Sequence, residues 1–227
     1  KEVINTEETH RRLAESELDR EGMWEENFQS HKDTKPNGPT SVGLDIAFPN
    51  SNHIFGLPEH ASSTELKTTF GKERHYQEPF RLYNLDVFEY ELDETMSLYG
   101  HVPLVVSHSK VTGTAGIFWF NPSETYVDVM NQDDGTKNTH WISESGIIDI
   151  FMLPGPSPQD MYRQYSKITG TMKLPPMFSL GYHQCRWNYK DEKDVYQVHE
   201  TFEELDYPYD VLWLDIEHTN GKRYFTW

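Results

Sequence analysis

Residues 210–218, DVLWLDIEH, form an apolar run that ends in two carboxylates, Asp215 and Glu217. Short apolar runs rich in β-branched and aromatic residues are typical of buried strands. A second such run, MFSLGYHQC at 177–185, lies one helix length earlier in the chain. These two runs and the segment between them decide how the C-terminal part of the chain folds.

The segment between the two runs predicts a helix. In KDEKDVYQVHETFEEL, residues 190–205, four apolar side chains recur on one helical face: Val195, Val198, Phe202 and Leu205. A strand, a helix and a strand form a βαβ unit, in which the strands pair in parallel. Parallel strands need cover on both faces, which one such unit lacks. We therefore expect residues 176–227 to be the truncated start of a larger α/β domain.

A linker helix is predicted over residues 156–175, after the turn-forming stretch PGPSPQD. Ser157 can cap the helix, Pro158 suits its first position, and Asp160 completes a spacing like that of a capping box. Gly170 can end it. The helical spacing itself comes from Met161, Tyr165 and Ile168.

The chain before this helix predicts a β domain. Six short runs rich in β-branched and aromatic residues are separated by turn residues: SVGLDIAF, HIFGL, HVPLVVSH, AGIFWF, ETYVDVM and GIIDIFML. Residues 133–135 (DDG) and 112–116 (TGTAG) are expected to be hairpin turns. The pattern favours an antiparallel sandwich or barrel over residues 41–155. Residues 1–40 are interpreted as a polar lead-in, with a short helix over 9–24.

Composition excludes several classes of partner. The chain has 20 Lys and Arg against 37 Asp and Glu, a net charge of −17, whereas nucleic acids and anionic membranes select basic surfaces. Its longest apolar runs are too short to cross a bilayer, and no secretory signal opens it. Cys185 is the single cysteine, so no internal disulfide forms, and we expect it to be a small buried hydrophobe inside its strand.

No sequence feature indicates a cofactor or a metal. A Gly-rich phosphate loop, a G-x-S-x-G element and the paired His or Cys spacings of metal sites are all missing. His183, His199 and His218 are interpreted as packing or surface residues. Neutral ligands such as sugars remain compatible with the charge of the chain.

The ends of the two predicted parallel strands are the first candidate site. Functional groups of α/β barrels lie at the carboxyl ends of strands, where Asp215 and Glu217 follow one strand and Trp187 follows the other. A carboxylate beside an indole suits a sugar, because the acid accepts hydroxyl hydrogens and the ring covers apolar C–H groups. The two acids are predicted on one strand and would approach a glycosidic bond from the same side, so we do not favour them as a catalytic pair. We favour a functional role for Asp215 and a structural one for Glu217.

Residues 78–91, EPFRLYNLDVFEYE, are the second candidate site. Asp86 lies between Leu85 and Val87 in an aromatic-rich stretch. One interpretation is a further strand, and the other is a loop of the β domain that leans over a barrel rim. The residue types leave both open.

Two long motifs resemble glycoside hydrolase family 31: FSLGYHQCRWNY and DVLWLDIEHTNGKRYFTW. Within this family they are most similar to the catalytic subunits of enzymes in the endoplasmic reticulum. IFGLPEHAS, PFRLYNLDVFEYEL, GIFWFNPSETYVDV and WISESGIIDIF match the same subfamily in the same order. The resemblance runs from about residue 38 to 227. It implies a mainly β fold: a galactose mutarotase-like β-sandwich followed by the first βαβ unit of a (β/α)₈ TIM barrel.

The resemblance also implies roles for four residues. Asp215 matches a family aspartate that binds sugar hydroxyls in the −1 subsite, and Asp86 matches an aspartate on a sandwich loop that enters the same pocket. Trp187 matches an aromatic at the rim, and Phe88 is a weaker candidate for the aromatic opposite. The family nucleophile lies in a W-x-D-M-N-E segment that does not occur in these 227 residues. Substrate-binding residues are thus expected here, and catalytic ones are not.

The activity implied is that of a retaining α-glucosidase which trims glucose from N-linked glycans in the lumen of the endoplasmic reticulum. Such catalytic subunits work with a β subunit that carries a retention signal and a mannose-binding domain. Two alternatives stay open: a non-catalytic carbohydrate-binding or interaction module built on the sandwich, and a scaffold whose sandwich only supports the barrel.

Overall fold

The computed structural model describes residues 3–4, 24–28, 30–35 and 41–227. The chain divides into two compact units, Lys1–Gly170 and Thr171–Trp227. The helix predicted over 9–24 lies outside the described residues, apart from Trp24, which begins a strand.

The first unit contains eleven described strands in antiparallel sheets. The strands are β1 Val3–Ile4, β2 Trp24–Phe28, β3 His31–Lys35, β4 Val42–Phe48, β5 His53–Gly56, β6 Phe80–Leu82, β7 Leu104–Ser109, β8 Gly113–Trp119, β9 Thr125–Asn131, β10 Lys137–Ser143 and β11 Ile150–Leu153. One sheet has five strands in the order β1-β4-β10-β9-β6, a second has four in the order β11-β8-β7-β5, and β2 and β3 form a separate hairpin.

The two larger sheets enclose one hydrophobic core, as the predicted β-sandwich requires. Trp119 of the four-stranded sheet and Trp141 of the five-stranded sheet are fully buried and stack with ring centroids 5.5 Å apart. Each indole N–H is satisfied, since Trp119 Nε1 donates to Ser143 Oγ at 2.8 Å and Trp141 Nε1 donates to Thr139 Oγ1 at 2.9 Å. The prediction of a mainly β sandwich is confirmed.

Strand β10 was not predicted from the sequence. Its inward residues, Lys137, Thr139, Trp141 and Ser143, alternate with half-buried ones, but three of the four are polar, so the period-2 apolar pattern is weak. Of the two predicted hairpin turns, 133–135 is confirmed between β9 and β10. The other turn lies at 110–112, and most of the predicted segment 112–116 belongs to β8.

Helix α1, Pro158–Thr169, has the ends predicted from the sequence. Ser157 is the N-cap and its Oγ accepts from Asp160 N at 3.1 Å, while Gly170 ends the helix with φ of 79°. The helix packs on the four-stranded sheet, where Met161 is fully buried in a cluster with Leu104, Val106, Phe118 and Leu153. It therefore belongs to the first unit, and the domain boundaries 41–155 and 176–227 stay predictions.

The second unit contains the predicted βαβ unit. Strands β12 His183–Gln184 and β13 Val211–Leu212 pair in parallel, with helix α2 Glu192–Glu204 between them. Both strands are shorter than the predicted runs, because Met177–Leu180 forms a 3₁₀ helix after two prolines and pairing ends at Leu212. The predicted start of the α/β barrel domain is thus confirmed, although its two strands are shorter than expected.

The expectation that Cys185 is a buried residue inside its strand is wrong. Cys185 follows β12 instead of lying inside it, and its side chain is exposed. The short strand is the reason, since the parallel pairing covers only the two residues before it.

Candidate functional site

The ends of β12 and β13 meet at one edge of the second unit. Asn188, four residues after β12, donates from Nδ2 to Glu217 Oε1 at 2.8 Å, and Glu217 lies five residues after β13. Desolvation alone would raise the pKa of the Glu217 carboxyl. Hydrogen bonds from Asn188, from its own backbone N–H and from Trp187, together with the Lys222 charge, outweigh it and hold that pKa below its ordinary value. Glu217 therefore joins the two loops, which is the structural role favoured from the sequence.

Asp215 begins the turn that carries Glu217. It caps the 3₁₀ helix Ile216–His218, with Oδ1 accepting from Ile216 N at 2.7 Å, and its side chain is exposed. One carboxylate oxygen is thus used to shape the turn, which leaves the second oxygen, Oδ2, outside that capping bond. An exposed carboxylate at the carboxyl end of a barrel strand is well placed to accept hydrogens from hydroxyl groups.

Trp187 lies at the same edge, next to Asn188. Its side chain is 62 % exposed, so an indole face is open to a ligand within this unit. Asp215 and Trp187 each lie within two residues of the Asn188–Glu217 hydrogen bond. The βαβ unit therefore brings the acid and the aromatic to one rim, as the sequence predicted for parallel strands.

The three histidines of this unit have local partners. The Trp213 indole N–H donates to His183 Nδ1 at 2.9 Å, and His183 Nε2 lies 3.0 Å from the Ser179 carbonyl oxygen. His199 Nδ1 contacts Tyr209 Oη, and His218 Nδ1 lies 2.6 Å from a carbonyl oxygen of its own turn. Their interpretation as packing or surface residues is confirmed.

The second candidate residue group lies in a loop. Strand β6 ends at Leu82, and residues 83–90 have no strand or helix. The strand interpretation holds only for Phe80–Leu82, and Asp86 lies in the loop that follows. That this loop leans over a barrel rim stays a prediction. Val87 is buried whereas Asp86 is exposed and Phe88 is 86 % exposed. The loop is thus anchored by one side chain and presents the acid and the aromatic to solvent within the first unit.

Asp93 follows this loop and is held by three side chains of the first unit. Its carboxylate accepts from Tyr76 Oη at 2.6 Å, and lies 3.2 Å from His75 Nε2 and 3.2 Å from Lys67 Nζ. The hydrogen bonds from Tyr76, His75 and Lys67, in that order of effect, lower the pKa of Asp93 to about 2. Burial raises the pKa of Tyr76 to about 12, and the carboxylate it faces adds to this.

Asp93 is expected to make the first unit sensitive to acid. Its pKa falls from 3.8 to about 2 on folding, so its contribution is complete above about pH 4 and is lost as the pH falls toward 2. Urea titrations of wild type and Asp93→Asn between pH 6 and pH 2 measure this. Wild type should lose more free energy of unfolding over that window than the variant, and Asp133→Asn in the exposed hairpin turn should behave like wild type. Equal pH profiles for wild type and Asp93→Asn would contradict the assignment.

The four candidate substrate-binding residues fall into two groups. Asp86 and Phe88 lie in the first unit, and Trp187 and Asp215 lie in the second, where their rim is joined by Asn188 and Glu217. Among the residues described, none of the helices is long and apolar enough to cross a bilayer. The same residues contain no group of three His, Cys, Asp or Glu side chains suited to a metal ion.

Two family models match the chain. The glycosyl hydrolase 31 N-terminal galactose mutarotase-like domain matches residues 2–128, and the glycosyl hydrolases family 31 TIM-barrel domain matches residues 172–227. Together they agree with the antiparallel sandwich of the first unit and the βαβ unit of the second.

This chain is similar to part of several longer proteins. Neutral alpha-glucosidase AB of Dictyostelium discoideum is 59 % identical over 91 % of this chain and 22 % of its own length. A crystal structure of the ER glucosidase II heterodimeric complex, with the catalytic subunit and the binding domain of the regulatory subunit, matches with a TM-score of 0.77 and 49 % identity over 90 % of this chain and 24 % of that one. A Glc1Man2-bound crystal structure of the glucosidase II alpha subunit matches with a TM-score of 0.77 and 48 % identity over 92 % and 24 %.

The chain therefore spans about a quarter of the length of the proteins it matches. One family model covers residues 2–128, more than half of the chain, and the other covers most of the remainder. The chain therefore belongs to glycoside hydrolase family 31.

Proposed function

We propose that this chain is part of a retaining α-glucosidase of the glucosidase II type, which removes glucose from N-linked glycans on newly made glycoproteins. The observation that carries the proposal is the rim where an exposed carboxylate, Asp215, and an exposed indole, Trp187, flank the Asn188–Glu217 hydrogen bond. The 59 % identity to a neutral alpha-glucosidase AB supports the choice of glucosidase.

The chemistry we assign to the whole protein is double displacement. One aspartate attacks the anomeric carbon, a second protonates the leaving oxygen, and water then releases glucose with retention of configuration. Neither catalytic aspartate is assigned to these 227 residues. The chain supplies orientation and binding energy instead, which lower the barrier by holding the sugar in the reactive geometry.

For the whole protein we assign hydroxyl recognition to the two acids and apolar contact to the two aromatics. Asp215 and Asp86 accept hydrogens from sugar hydroxyls. Trp187 covers an apolar C–H face of the sugar, and Phe88 supplies a second aromatic contact. Both pairs are exposed in their own units, as a binding role requires.

A partner and a compartment are proposed from the likeness to glucosidase II. We propose that the whole protein works with the glucosidase II β subunit in the lumen of the endoplasmic reticulum. The heterodimeric structure of a relative, which includes the binding domain of its regulatory subunit, supports this assignment.

The test is hydrolysis by a full-length protein that contains this chain. An aryl α-glucoside should be cleaved, and proton NMR of the first glucose released should show the α anomer before mutarotation. Release of the β anomer would rule out a retaining mechanism, and an absence of hydrolysis would remove the glucosidase assignment. The matching aryl β-glucoside is the control and should not be cleaved.

A carbohydrate-binding module without catalysis is the second candidate, favoured by the 86 % exposure of Phe88 on the sandwich. Calorimetric titration of the 227-residue chain with glucose oligomers separates the two. Binding by this chain, together with an inactive full-length protein, would favour the module.

A further inference from the structure

Residues 95–101, here named the clamp segment, run beside the chain that leads into the loop at 83–90. Thr95 Oγ1 donates to the carbonyl oxygen of Glu78 at 3.2 Å, and Ser97 Oγ donates to that of Arg81 at 2.8 Å. Both contacts use side chains to satisfy backbone carbonyl groups, one of them on β6, the edge strand of its sheet.

The clamp segment then grips the loop on both sides of Asp86. The backbone N–H of Leu85 donates to the carbonyl oxygen of Leu98 at 3.0 Å. The hydroxyl group of Tyr99 donates to the carbonyl oxygen of Val87 at 3.3 Å. The residue before Asp86 is therefore bonded to Leu98, and the residue after Asp86 is bonded to Tyr99. Leu98 and Tyr99 are neighbours in the clamp segment.

This segment is itself firmly held. Thr95, Ser97 and Leu98 are 4 %, 2 % and 7 % exposed, so it is packed into the first unit. His101, at its end, places Nδ1 3.2 Å from Asn84 Oδ1, one residue before the Leu85 bond. A loop tied to a buried segment at successive positions loses little further freedom when a ligand binds, which favours binding.

We propose that Tyr99 is a positioning residue: its hydroxyl holds the Val87 carbonyl so that Asp86 stands ready to bind a sugar hydroxyl. The inference rests on the proposed function of Asp86. Tyr99 acts through the loop backbone, and its side chain does not need to touch the sugar. The Leu85–Leu98 bond is made by backbone atoms alone, so Tyr99 is the member of this pair that a substitution can remove.

The experiment uses a full-length protein that contains this chain. Tyr99→Phe removes the hydroxyl and keeps the ring. Without that hydrogen bond the loop must be ordered when a ligand binds, and this cost should raise the Kd of 1-deoxynojirimycin, an iminosugar that resembles glucose, about 3- to 10-fold. The fall in kcat/KM for an aryl α-glucoside should be similar. Tyr162→Phe on α1 is the matched control, because both tyrosines are 54 % exposed, and it should leave both values unchanged.

A double-mutant cycle with Asp86→Asn separates positioning from a general structural role. In the Asp86→Asn background, Tyr99→Phe should change the Kd less than about twofold, because the group it positions is already impaired. Its effect on the melting temperature should be the same in both backgrounds. An equal loss of affinity in both backgrounds would overturn the inference.

The remaining outcomes distinguish this inference from the proposed function. If Asp86→Asn weakens binding and Tyr99→Phe does not, the clamp is not a positioning device although Asp86 binds sugar. If Asp86→Asn leaves the Kd unchanged, Asp86 does not bind the sugar, and both assignments are wrong.

Discussion

Replacing Asp215 with alanine is expected to lower kcat/KM for an aryl α-glucoside by roughly 10²- to 10⁴-fold in a full-length protein that contains this chain, since two charge-assisted hydrogen bonds to sugar hydroxyls would be lost. Because each such bond strengthens as the sugar approaches the transition state, kcat should fall as well as the affinity. Steady-state kinetics with the purified variant measure both.

Asp215 also shapes its own turn, and a second variant separates the two roles. Its Oδ1 accepts from Ile216 N at 2.7 Å, and asparagine keeps an oxygen for that bond. Asp215→Asn should therefore retain the turn and still lose most of the activity, because the charged acceptor is gone. Activity retained in Asp215→Asn and lost only in Asp215→Ala would assign the residue to the turn alone.

A control variant for Asp215→Ala removes a charge on the other side of β13. Asp206 precedes β13, at the edge away from the rim, and has φ of 53°, a conformation that asparagine tolerates well. Asp206→Asn should change kcat/KM less than about twofold, as surface substitutions away from a site do. Near-normal activity of Asp215→Ala beside an unchanged control would remove Asp215 from the pocket.

Replacing Trp141 with alanine is expected to lower the free energy of unfolding of the first unit by about 3–5 kcal/mol. The side chain is fully buried, and it stacks on Trp119 across the two sheets with an interplanar angle of 19°. Alanine would leave a cavity between the sheets and deprive Thr139 Oγ1 of the indole donor that lies 2.9 Å from it. Urea unfolding of the 227-residue chain, followed by near-UV circular dichroism, reports this change.

Two further tryptophan variants make that test specific. Trp227 is 98 % exposed, so Trp227→Ala should leave the unfolding midpoint unchanged. Trp141→Phe keeps an aromatic ring and should lose less than the alanine variant. A loss below about 1 kcal/mol for Trp141→Ala would show that the stacked pair is not the centre of the sandwich core.

Local signals in the sequence predicted the helices well. Ser157 and Gly170 mark the ends of α1 in the structure as they do in the sequence, because a cap is formed by residues within one turn of the helix. The order of strand, helix and strand after residue 176 is also readable, since helical periodicity needs only neighbouring residues. The parallel pairing of β12 with β13 confirms that order.

Other features depended on partners far along the chain. Strand β10 buries Ser143 and Thr139, and polar residues lie inside only when they find partners such as the Trp119 indole, 24 residues from Ser143. The shortness of β12 likewise left Cys185 exposed, which no local pattern signals.

The structure of the loop with Asp86 also depended on partners far along the chain. Aromatic and apolar residues on both sides of Asp86 fit a strand as well as a loop, so the sequence alone left the two open. The anchors that decide in favour of a loop come from Leu98 and Tyr99, twelve or more residues away. No periodic pattern links positions at such a distance.

The sequence by itself determined the family, the mainly β class and the caps of α1, and it named four candidate binding residues, because these depend on residue types and on neighbours within a few positions. The tertiary structure alone decided that Asn188 and Glu217 join the two strand ends and that Tyr99 holds the Asp86 loop. The physical reason is that a hydrogen bond between distant segments exists only once the chain has folded and brought its donor and acceptor within about 3 Å of each other.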